Sequence, residues 1–73
     1  MEYTVILHPA EEGGYWAEVP ALPGCFSQGE TVDEALKNIK EAIELHIECL
    51  EEEGQGIPKD EGFVLSRVGV AAR

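Results

Sequence analysis

The sequence predicts an α+β domain of order βββαβ, with one long helix packed on one face of a small mixed four-stranded sheet. Three observations lead there. Short stretches at 3–8, 15–19 and 25–28 favour extended backbone, with β-favouring side chains alternating along the first two. A single apolar stripe with helical spacing follows from residue 32, and a run rich in β-branched residues occupies 63–70. The 73 residues suit one domain, 1–73. A chain of this size buries only about 60 % of its unfolded surface, so association with copies of itself or with a partner is expected.

In the first strand Tyr3, Val5 and Leu7 alternate with Thr4, Ile6 and His8, and Pro9 ends the run before the turn at Glu11, Glu12, Gly13 and Gly14. After Gly14 the second strand places Tyr15, Ala17 and Val19 on one side and Trp16 and Glu18 on the other, completing a hairpin. Pro20 opens the segment that leads to Pro23 and Gly24. A proline-fixed φ followed by a glycine able to take positive φ is what a type II turn needs. The chain should reverse there into a third strand, Cys25 to Gln28, closed by Gly29.

Thr31 lies three residues before Glu34, the spacing of a capping box. From Val32 the positions Ala35, Leu36, Ile39, Ala42, Ile43, His46, Ile47 and Leu50 line one helical face, to an end near Glu53. Such a helix is about 33 Å long, longer than a small sheet needs, so part of it should project toward a partner. Gly54 supplies the C-terminal glycine, with Pro58 beyond it. Phe63 to Val70 reads as the last strand. A helical crossover could bring it in parallel beside the first strand, giving the order 3-2-1-4. The helix covers one sheet face. The other would carry Trp16, Glu18, Thr4 and Ile6, although Tyr3, Val5 and Leu7 compete with Thr4 and Ile6 for the covered side.

Fifteen acidic and five basic residues leave a net charge of -10. That charge repels a phosphate backbone, so direct nucleic-acid binding is disfavoured, and it steers a basic partner inward. The N-terminus lacks a basic start, and its apolar run is too short for a signal peptide or a membrane span. A cytoplasmic location is expected, with Cys25 and Cys49 reduced.

Little in the sequence suggests catalysis. His8, Asp33, Glu34, His46 and Cys49 form no constellation, and Asp33 and Glu34 already complement the helix macrodipole. His46 and Cys49, at i and i+3, are half of a zinc site at best and fit the apolar stripe better. No metal or cofactor is expected. Glu48, Glu51, Glu52 and Glu53 crowd the negative end of the helix, as a solvated terminus or as a patch for a basic partner. Trp16 alternates away from the side that Ala17 and Val19 bury. It is either an interface anchor or the lid of a small satellite cluster. Phe26 and Gln28 join it as candidate interface residues.

The segment from Gly13 to Ala35 resembles the signature of HicB-like proteins: Gly14, Tyr15, Pro20, Leu22, Pro23, Gly24 and Cys25, then Gln28, Gly29, Thr31, Glu34 and Ala35. Ala21 stands where many relatives have an acid. The resemblance implies a degraded RNase H-like domain without the carboxylate cluster of a working nuclease. The sequence agrees, since Glu18 is the one acid within the expected strands. It further implies a non-catalytic antitoxin that binds a small basic HicA-like toxin, an mRNA-cleaving ribonuclease. No C-terminal DNA-binding segment of the kind common in such antitoxins is expected within 1–73. The alternative is a self-associating structural or regulatory domain, a dimer or tetramer with no toxin partner.

Overall fold

A computed structural model describes residues 1–72. Three strands, β1 (Ile6–Pro9), β2 (Tyr15–Glu18) and β3 (Phe26–Gly29), precede one helix, α1 (Val32–Glu52). The strands form an antiparallel sheet in the order β1-β2-β3. Across it Ile6, Glu18 and Phe26 lie in one row and Leu7, Ala17 and Ser27 in the next. His8, Trp16 and Gln28 make the third row, and Pro9, Tyr15 and Gly29 the fourth.

The local predictions hold with small shifts. The first strand starts at Ile6 rather than Tyr3 and takes in Pro9, which an edge strand tolerates because its missing N–H interrupts no ladder on the outer side. The third strand is displaced by one residue, and Cys25 is buried just ahead of it. At the turn the Cys25 N–H donates to the Leu22 carbonyl at 3.0 Å, with Gly24 at φ +88°. This is the bond and the backbone conformation that Pro followed by Gly foretold. Pro20 forms a preceding turn, in which the Leu22 N–H donates to the Val19 carbonyl at 3.0 Å.

Thr31 caps α1 by accepting from the Glu34 N–H at 3.0 Å, while the Glu34 carboxylate reaches back one residue further than expected, to the Glu30 N–H at 3.0 Å. The last turn holds no base to offset its glutamates. Its carbonyls are instead satisfied by backbone: the Gln55 N–H donates to Leu50 at 2.9 Å and the Gly54 N–H to Glu51 at 3.1 Å, a Schellman arrangement.

The helix lies over β2 and β3. Ala17, Val19, Leu22 and Cys25 are buried against its Ala35 and Ile39, and Tyr3, Val5, Leu7, Ala42 and Ile43 pack around them. The covered face is therefore the one marked by Tyr3, Val5 and Leu7. Full burial of Leu22 and Ile39 contributes about 1.5–3 kcal/mol each. Close approach of the layers depends on Gly29, where a Cβ would stand 2.5 Å from the Ala35 nitrogen.

The fourth strand is the main correction. Residues 63–70 form none, so the sheet is purely antiparallel rather than mixed. The chain reaches the N-terminal segment through a clamp: the Tyr3 hydroxyl donates to the Pro58 carbonyl at 2.5 Å, and the Thr4 N–H and hydroxyl both donate to Asp60, the hydroxyl at 2.6 Å. Beyond it residues 61–72 adopt no regular secondary structure and do not pair with β1.

Candidate functional site

Period-two alternation sends Ile6, His8, Trp16, Glu18, Phe26 and Gln28 to the face opposite the helix. Among the described residues no element covers that face. Trp16 is 37 % exposed and Phe26 57 %. The His8 ring stacks on the Trp16 indole with centroids 4.1 Å apart and planes 17° from parallel, and Phe26 approaches the other way at 6.1 Å, tilted by 52°. The His8 Nε2 meets the Glu18 Oε2 at 2.5 Å. The pair and the stack together hold Trp16 in one orientation while its outer surface stays accessible.

Trp16, Glu18, Phe26 and Gln28, expected at an interface, are thus brought together on one surface. Glu48, Glu51 and Glu52 are not. They are exposed on the helix, in the other layer. Acid does adjoin the aromatic face elsewhere, in an open hollow where Glu11, Glu12, Glu30 and Glu34 surround Trp16 and Gln28. Pairing in sequence did not reveal this, because the hairpin loop and the helix start meet only through the fold. Beside the hollow, a Cβ at Gly14 would stand 2.7 Å from the Gly29 carbonyl oxygen, so the loop approaches β3 closely only because that residue is glycine. Sequence reasoning also left His8 out of the interface set. Its place in the same strand row as Trp16 follows from hairpin register, which sequence alone leaves free to slip.

Among the described residues no three metal-ligating side chains converge. Cys49 is exposed and Cys25 buried, both as free thiols, and burial pushes the Cys25 thiol up. Among the described residues no helix is long and apolar enough to cross a membrane.

These features define a class: a two-layer α+β domain whose helix-free sheet face is aromatic and rimmed by acid. The model of the "HicB_like antitoxin of bacterial toxin-antitoxin system" family matches residues 3–65. The chain belongs to that family. Among curated relatives, the UPF0150 protein Ta0767 of Thermoplasma acidophilum is 57 % identical over 60 residues, covering 82 % of this chain and 87 % of the relative. Among solved structures, a chain of the HicA3 and HicB3 toxin-antitoxin complex superposes with TM-score 0.70 at 33 % identity, over 82 % of this chain and 70 % of that one. The Burkholderia pseudomallei antitoxin HicB superposes with TM-score 0.68 at 40 % identity, over 92 % of this chain and 48 % of its own length.

Proposed function

We propose that this chain is a non-catalytic, cytoplasmic binding module that captures and neutralises a small basic HicA-like toxin. The observation that carries the reading is the open sheet face, where Trp16 and Phe26 are exposed beside an acidic hollow. Exposed aromatics supply the anchors of an interface, and charge around them raises the rate of encounter with a basic partner. The neighbouring structure in which HicA3 and HicB3 form a complex supports a toxin as the partner class.

In this reading Trp16, Phe26, Glu18 and Gln28 make contact, and Glu11, Glu12, Glu30 and Glu34 flank them. Glu48, Glu51 and Glu52 add to the overall negative field. The role of the toxin as an mRNA-cleaving ribonuclease follows from the family resemblance. No cofactor is required, because occlusion alone neutralises such an enzyme.

The experiment is capture from native lysate with the tagged chain at low and high salt, followed by an assay for RNA cleavage in the released fraction. A small basic protein that elutes with salt, cuts RNA once free, and is retained at least tenfold less by Trp16→Ala is the expected result. A fraction without ribonuclease activity, or retention indifferent to Trp16→Ala, removes the reading.

Self-association is the second reading, and the exposed apolar run at 63–70 favours it. Both can hold at once, since that run and the aromatic face are different surfaces.

A further inference from the structure

Three features of the fold remain unused by toxin binding, and they fit one another. The first is the outer edge of β1. Among the described residues β1 pairs only with β2, so its other side offers unpaired backbone groups as far as Pro9, which has a carbonyl but no N–H to add. The second is an apolar groove of about 360 Å³ beside that edge, between Tyr3 and Val5 on one bank and Leu36, Ile39, Ile43 and Ile47 on the other. It lies on the flank of α1 left over after the helix has covered β2 and β3, and Leu36 there is 41 % exposed.

The third is the segment 63–70. Val64, Leu65, Val68 and Val70 are between 73 % and 91 % exposed. At about 3.3 Å per residue, eight residues span about 26 Å, enough to run the length of β1 and the groove. Strand-forming side chains left in water on this scale are a template for pairing with another chain.

The geometry points to exchange of this segment between two copies: residues 63–70 of one chain add to the β1 edge of the other and fill its groove, and the second chain returns the same contact. This rests on the self-associating reading and is independent of toxin binding. Two observations choose a second copy as the occupant. The Asp60 carboxylate accepts from the Gly62 N–H at 2.7 Å, Gly62 bends the chain at φ +79° immediately after the clamp on Tyr3 and Thr4, and the valines and leucine beyond it lie in solvent. The segment is thereby aimed away from its own domain. The radius of gyration is 14.7 Å, against about 11 Å for a compact chain of this length.

Charge is the other. All fifteen acids and three of the five bases fall within residues 1–62, whereas the exchanged residues 63–70 hold Arg67 and no acid. A basic apolar segment meets an acidic body, and reciprocal exchange closes the assembly as a two-fold dimer with no unpaired copy of the strand. The open aromatic face is left on display in both halves.

The test combines light scattering with amide hydrogen exchange on the full chain, from about 1 µM to 1 mM. The expected result is a species of twice the 8.0 kDa chain mass at high concentration. Exchange at 64–70 should slow at least tenfold as it forms. The double variant Val64→Asp, Val68→Asp should be monomeric while keeping its helix signal and Trp16 emission, since both residues are exposed in the single chain. A monomer at every concentration overturns the exchange and self-association together. A dimer whose 64–70 amides exchange freely, or which survives the double variant, overturns the exchange and leaves self-association standing. Protection of 64–70 in a monomer assigns the strand to its own sheet and likewise overturns the exchange.

Discussion

On the covered side of the sheet β2 and β3 carry Ala17, Ser27 and Gly29, with Tyr15 at the end of the strand, while one residue away on the open side they carry Trp16, Glu18, Phe26 and Gln28. Leu7 and Val19 pack on the covered side as well, whereas His8, Glu18 and Gln28 share the open side with the aromatics. The helix chose the small residues, because close layering needs short side chains: Ala17 is fully buried, and Gly29 leaves no room for a methyl group against Ala35. The aromatics are what the packing excludes, and they become the surface available to a partner. An Asn38 amide bonded to the Gln28 carbonyl at 2.8 Å shows how near the helix runs to β3 without crossing to the other face.

The contrast is sharpest where adjacent residues point opposite ways. Replacing Ala17 by Leu inserts three carbons into a filled core and should cost about 3 kcal/mol, measured as a fall in the urea midpoint. A variant of unchanged stability would mean that the helix can lift without loss. Gly29→Ala presses a methyl on the Ala35 backbone and should cost about 2 kcal/mol by the same measurement. Trp16→Ala, although it removes a far larger side chain, should cost only about 1 kcal/mol, because the indole is partly exposed and loses mainly its His8 and Phe26 contacts. If Trp16→Ala proved as damaging as Ala17→Leu, the open face would belong to the core.

The smallest expected effect concerns the clamp on the segment that follows the helix. The hydroxyl of Thr4, then the Gly62 and Thr4 N–H groups, hold the Asp60 carboxyl below its ordinary value of 3.8. A carboxyl whose folded-state value is depressed contributes above its unfolded value and stops contributing as pH falls through the folded one. As pH falls below 3.8 and through the depressed folded value, Asp60 should therefore let go of Thr4 and Gly62. The Asp60 carboxyl carbon shift and the Thr4 amide exchange rate should change together in an NMR titration. An Asp60 midpoint at or above 3.8 would show that the clamp does not form.

Much of this molecule is local and was legible in residues a few positions apart. Pro23 and Gly24 specify their turn, Thr31 and Glu34 the helix start, and Gly54 its end, because each satisfies backbone groups within its own neighbourhood. The alternation that set Trp16 apart from Ala17 likewise needs only the geometry of one strand.

What lay beyond the sequence were the contacts between distant segments. Sequence pattern alone leaves three matters undecided: whether Leu7 or Ile6 faces the helix, that His8 stacks on Trp16, and that Glu11 and Glu30 come to flank the same aromatic. Each depends on register and on which side chains leave room for close packing. The apolar run at 63–70 carries the composition of a strand, but a strand exists only where a neighbour supplies the other half of its hydrogen bonds. Strand propensity was therefore written in the sequence, and the presence or absence of that neighbour was decided by the tertiary structure, through the Asp60 clamp and the turn at Gly62.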